Sequence, residues 1–234
     1  MKRRRRWLRN GCLLGVLVLV AVYSIHTARS VVAEFFLVDC SALGRSAGLS
    51  LQLYAYESEG RFFPPLRNRQ APLTVDSKYL VPAYSSEENF HQTFRYHGVS
   101  SATGQDFYYL GYAVENEEEM AAFAAAYELR RAEGGEFTGD LSVPTDREGH
   151  GGRTIKRLTK HTAESRSMVP LLIEKSGHYH RPGGYVVYTD GAVEFIVYPG
   201  KWPMSKATMD RLKTLEEVIS VSTASSGEIV TMIP

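Results

Sequence analysis

Residues 2–25 constrain this chain more than any other stretch. Lys2-Arg3-Arg4-Arg5-Arg6 is followed, from Cys12 to Ile25, by an apolar run without a charge. A helix that crosses a membrane needs about 20 mostly apolar residues. Gly11 to Ile25 is shorter than that, so the span is short unless Trp7 and Leu8, or Val31 to Val38, contribute. Basic flanks stay on the cytoplasmic side, so the N-terminus is expected inside and residues after about 30 outside. A cleaved signal peptide shares the basic start and the short apolar core. Val31-Val32-Ala33 offers it only a marginal small-residue site, and His26 and Arg29 sit awkwardly before it. The expectation is therefore an uncleaved, single-pass anchor in the cytoplasmic (inner) membrane. Residues 1–10 form a cytoplasmic basic segment, 11–30 the transmembrane anchor and 31–234 an extracytoplasmic domain.

The run has no Pro and no turn cluster before Gly60, so the spacing predicts one long helix from Trp7 to Tyr56. Its outer half is amphipathic. Phe36, Cys40, Leu43, Ala47, Leu51 and Tyr54 recur at intervals of three and four, and Leu49 and Leu53 are expected to widen that face. Gly44 and Gly48 lie four apart; each weakens a helix by about 1 kcal/mol relative to Ala. Small residues at that spacing let another backbone approach, either a second helix or a sheet packed on this one.

The net charge of +1 gives no reason to expect nucleic acid, and topology accounts for the basic run. A hydrophobic content of 44% suffices for a core. The two cysteines, Cys12 and Cys40, both fall in the helical stretch, so no disulfide framework holds the domain.

Beyond Gly60, Pro64-Pro65 and Pro72 mark a loop, and residues 95–105 read as another by composition. Asp106 to Val114 is aromatic-rich and reads as a strand. Asn116 with Glu119 forms a capping-box pattern opening a helix over Glu117 to Arg131. Met120, Phe123, Ala124 and Tyr127 make its buried stripe, and Gly134-Gly135 stops it. Residues 136–166 read as a polar excursion holding one strand over Thr154 to Leu158. Val169 to Glu174 is a strand, and Gly184 to Tyr198 a hairpin turning at Asp190-Gly191 in a type I′ turn. Ser205 caps a last helix reaching Ile219, with Met209, Leu212, Leu215 and Ile219 on one side.

No phosphate-binding glycine loop, His-Glu-x-x-His, paired-cysteine metal site or nucleophile elbow is present. The strongest chemical cluster is His178 and His180 with Glu174, Asp190 and Glu194. Two histidines two apart share one face of an extended strand, and with a carboxylate they can ligate zinc. Equally, Asp190 can bond its own turn backbone and a histidine beside a hairpin can fill a hydrogen-bonding niche. Tyr108, Tyr109, Tyr112, Tyr185, Tyr188 and Tyr198 are expected as core residues with their hydroxyls at its edge.

His180, nine residues, then Asp190-Gly191 match the H-x9-DG signature of pilin-like proteins. CSALGRSAGLSLQLYAYESEGRFFPP (40–65), DSKYLVPAY (76–84) and YVVYTDGAVEFIVYPGKWP (185–203) resemble type II secretion pseudopilins and their relatives. One departure concerns the processing site. Gly11 is followed by Cys-Leu-Leu-Gly-Val, with no glutamate at the fifth place. The resemblance implies an α+β fold, with a long membrane-anchored helix packed on an antiparallel sheet. It further implies a structural role in the envelope, in secretion or pilus-like assembly, with the lipid bilayer and other pilin-like subunits or secretion components as partners. His180, Asp190 and Gly191 are then a structural signature, and no catalysis or cofactor is expected. The rival expectation is a membrane-anchored ligand- or metal-binding domain, or a hydrolase, built on His178, His180 and Asp190.

Overall fold

The structure, a computed structural model, describes residues 18–27, 41–67, 73–86, 107–143, 152–161, 169–175 and 182–225. The chain divides into two compact units, Met1–Cys40 and Ser41–Pro234. In the first, helix α1 covers residues 18–27. It carries no charged residue and leaves Val18, Leu19, Val20, Val22, Tyr23 and Ile25 exposed. The expected continuity of the helix through residues 28–40 lies outside the described residues. Among the described residues no helix is long and apolar enough to cross a membrane.

The second unit is α+β. Its main sheet is antiparallel, in the order β1 (Phe107–Tyr109), β4 (Pro170–Glu174), β5 (Gly183–Tyr188), β6 (Val193–Val197). A second, two-stranded sheet joins β2 (Leu141–Ser142) to β3 (Thr154–Ile155). Helix α2, residues 41–57, lies on one face of the main sheet. Its buried side chains are mostly small: Gly44, Ala47, Gly48, Ser50, Leu51 and Ala55. A Cβ on Gly44 would stand 3.2 Å from Phe107 and from Val187, and one on Gly48 only 2.7 Å from Val187 Cγ1. The two glycines therefore make room for the sheet. Leu49 and Leu53 do not widen the buried face as expected; they are 56% and 43% exposed. The close approach to Val187 and Phe107 selects the narrow side of the helix and turns the leucines outward.

Helix α3, Glu117–Ala132, starts at the expected Asn116 cap, but the Glu119 carboxylate bonds one residue ahead of it instead of closing a capping box on Asn116 N. Asn116 accepts from Glu119 N at 2.9 Å, and the Glu119 carboxylate accepts from Glu115 N at 2.7 Å. It ends in a Schellman motif: Gly134 N donates to Arg131 O, Gly135 N donates to Arg130 O, and Gly134 takes φ +68. Met120, Phe123, Ala126 and Tyr127 are buried, with Ala126 in the place expected of Ala124. Helix α4, Lys206–Ser225, is capped by Ser205 and buries Met209, Leu212 and Leu215. From the middle of β1, Tyr108 donates to Glu216 of α4 at 3.0 Å, and Lys175 reaches the same carboxylate.

Residues 136–143 and 152–161 are not the polar excursion their composition suggests. Phe137, Leu141, Ile155 and Leu158 belong to the core, and Phe137 stacks on Tyr127 at 4.7 Å. Arg157 ties them to the loop after α2. Its guanidinium donates to Thr138 O and Phe63 O, both at 2.7 Å, and lies over the Phe62 ring. The Tyr109 hydroxyl donates to Pro64 O at 2.7 Å, and Phe63 N donates to Leu158 O. Polar residues here serve as cross-links between backbone segments, which composition does not reveal.

Candidate functional site at the hairpin tip and the outer helix face

The hairpin tip is built from Tyr188 to Ala192. Gly191 N donates to Tyr188 O at 3.0 Å, and Tyr188 N donates to Ala192 O at 2.9 Å. Gly191 has φ +86, whereas Asp190 does not have positive φ. The tip is thus a turn on Thr189 and Asp190 followed by a left-handed glycine, the three-residue G1-bulge hairpin, and not the expected type I′ turn. The extra residue follows from the register, which pairs Val187 with Val193. Asp190 Oδ1 accepts from Ala192 N at 2.9 Å, so its carboxylate closes the turn on its own backbone.

The tip is held from two sides. Thr189 is buried; its N donates to Val169 O, and its carbonyl accepts from Gln52 Nε2 of α2 at 2.9 Å. The signature turn is therefore where the late hairpin meets the early helix. His178 and His180 lie outside the described residues. Of the remaining members of that cluster, Glu174 is buried and accepts from Tyr185 N at 2.7 Å. Glu194 accepts from Lys201 at 2.6 Å and from the Tyr188 hydroxyl at 3.3 Å. The Lys201 bond holds the Glu194 carboxyl below the usual range. Burial, and then the Glu194 charge, push the Tyr188 hydroxyl up to about 12. Among the described residues no three His, Cys, Asp or Glu side chains are grouped to hold a metal ion.

Of the tyrosines, Tyr108, Tyr109, Tyr112 and Tyr188 are buried, as expected, while Tyr185 and Tyr198 are only half-buried. Elsewhere, an open cleft of 450 Å³ is lined by Arg67, Asp76, Lys78, Tyr79 and Glu136 among others. It carries charges of both signs, including the exposed Lys78–Asp76 pair at 3.7 Å.

The outer face of α2 carries the feature that periodicity alone assigned to the wrong side. Leu49, Leu53 and Tyr56 follow one another at intervals of four and three, opposite the sheet, and Tyr56 is 65% exposed. The Lys160 ammonium sits 3.5 Å from the centre of the Tyr56 ring. The signal for this stripe was the small size of Gly44, Ala47 and Gly48 on the opposite side. Comparison with known protein families, characterised proteins and solved structures gives no match.

Proposed function

We propose that this chain is a membrane-anchored, pseudopilin-like structural subunit of the cell envelope that works by presenting and packing an α+β domain. One observation carries the reading. Helix α2 uses a small-residue face to clasp an antiparallel sheet, is pinned to the hairpin tip by Gln52, and keeps an apolar stripe for a neighbour. A helix that carries no charge and leaves its Val, Leu, Ile and Tyr side chains exposed, as α1 does, belongs in lipid or against other apolar surface, which supports the anchor. The basic residues ahead of it support an N-terminus held inside.

Imaging the fluorescently tagged full chain in cells tests the reading. A membrane signal gathered into filaments or clusters is expected for the parent chain. Leu53→Glu should disperse that signal while leaving the melting temperature of the purified protein unchanged. A reporter fused after Pro234 should be active only outside the cytoplasm; cytoplasmic activity overturns the topology. A zinc-dependent rise in melting temperature, lost in both His180→Ala and Asp190→Asn, would replace this reading with the metal-binding one.

A further inference from the structure

Strand β6 is an outer strand of the main sheet. It pairs with β5 through Val187↔Val193, Val186↔Glu194, Tyr185↔Phe195, Gly184↔Ile196 and Gly183↔Val197. The bonds that bracket this ladder are Tyr188 N to Ala192 O and Tyr198 N to Pro182 O. They direct the backbone groups of the even-numbered residues of β6 toward β5. The alternation of an antiparallel ladder then turns the N–H and C=O of Val193, Phe195 and Val197 outward. Among the described residues nothing hydrogen-bonds to that outer row. The side chains beside it are apolar: Phe195, edge-on to Tyr185, is 36% exposed and Val197 57%. An open backbone edge with apolar side chains is a template for a further strand.

We infer that the strand it takes is β6 of a second copy of this chain, antiparallel, about a two-fold axis through Phe195. The reason is self-complementarity. The strand reads Val-Glu-Phe-Ile-Val, the same in both directions at its outward positions. The axis sets Phe195 against the partner's Phe195 and Val193 against the partner's Val197. The Phe195 pair exchanges two hydrogen bonds; each Val193–Val197 pair makes the Val197 N–H to Val193 O bond, while the Val197 carbonyl is packed against Gly200 of its own chain. Glu194 then falls opposite the partner's Ile196. The neighbouring register, slipped by two residues, would set Glu194 against the partner's Glu194, and like charges directly opposed are unfavourable. Slipped two residues the other way, Val193 would meet the partner's Pro199, which has no N–H to give; both neighbouring registers are thus poorer than the two-fold on Phe195. The product is one continuous sheet made from two four-stranded ones. This surface is separate from the outer face of α2 and does not rest on the anchor reading.

Cross-linking of the full chain in detergent tests it, with Cys12 and Cys40 both changed to Ser. Phe195→Cys should form a disulfide-linked dimer on mild oxidation. Residues of a directly opposed hydrogen-bonded pair have Cα atoms about 5.5 Å apart, within disulfide reach. Val197→Cys should not, because the two copies of that residue would lie roughly 14 Å apart along the paired strands. With the outer face of α2 blocked by Leu53→Glu, the chain should be a dimer by light scattering, and adding Phe195→Lys should make it a monomer with the same melting temperature. Should Phe195→Lys melt lower, Val197→Lys, also in the Leu53→Glu chain, reads the same edge from its more exposed end and should also be monomeric. A monomeric Leu53→Glu chain, equal cross-linking at Val197→Cys, or dimeric lysine variants in the Leu53→Glu chain would overturn the proposal. Leu53→Glu should leave the Phe195→Cys cross-link intact, which separates this interface from the outer face of α2.

Discussion

Gly48 of α2 and Val187 of β5 meet so closely that a Cβ on the glycine would lie 2.7 Å from Val187 Cγ1. That contact sets how near the helix comes to the sheet, and through it which side of the helix is buried. Val187 is β-branched and stiff at χ1, so it cannot easily swing away. Gly48→Ala should therefore destabilise by about 1–3 kcal/mol through overpacking. The substitution also gains about 1 kcal/mol of helix propensity, which offsets part of that cost. Val187→Ala in the same chain should recover part of the loss. A double-mutant cycle by denaturant unfolding of the purified protein checks this, and additive effects would mean that the two residues do not touch.

The two sides of α2 should respond very differently to charge. Leu51 is fully buried, so Leu51→Asp should cost several kcal/mol and unfold the domain. Leu43 is half-buried and Leu43→Asp should fall between the extremes. Arg45→Asp and Leu49→Asp, on exposed positions, should each cost under about 1 kcal/mol. Circular-dichroism melts rank the four; equal damage at Leu49 and Leu51 would refute the assignment of faces.

The hairpin tip gives a second ordered series. Gly191→Val should be worst, at about 1–3 kcal/mol, because φ +86 strains a β-branched residue. Gln52→Ala should cost about 1 kcal/mol by removing the bond to Thr189 O. Asp190→Asn should be nearly silent, since an amide oxygen accepts from Ala192 N as the carboxylate does. Chemical denaturation of the three variants tests that order.

Stability should also fall in alkali. The Tyr188 hydroxyl is pushed up to about 12 from its usual 10.0, and burial raises Tyr109 and Tyr112 as well. A raised pKa in the folded state means that the folded chain holds these protons more tightly. The contribution is whole below about pH 10 and is lost as pH climbs toward about 12. Melting temperature should be insensitive to these groups below pH 10 and drop above it, with tyrosinate absorbance rising as the chain unfolds. Ionisation of all tyrosines near pH 10 in a still-folded chain would contradict the burial.

What the sequence by itself determined was local. Asn116 and Glu119 start α3, Gly134-Gly135 end it, and Ser205 starts α4, because caps are made by residues a few positions apart. The hairpin was legible from alternating apolar residues around Asp190-Gly191, although its turn type was decided by the register of Val187 on Val193. Tertiary structure decided the rest. Size at positions 44, 47 and 48, set against Val187 and Phe107, outweighed the hydrophobic periodicity that placed Leu49 and Leu53 inside. Arg157 gathers Phe63 and Thr138, which are far from it in sequence, and so turns a polar stretch into part of the core wall. The open edge of β6 follows from strand order, which no single strand encodes. Caps and turns depend on bonds within a few residues, whereas faces and edges depend on what the remainder of the chain brings against them.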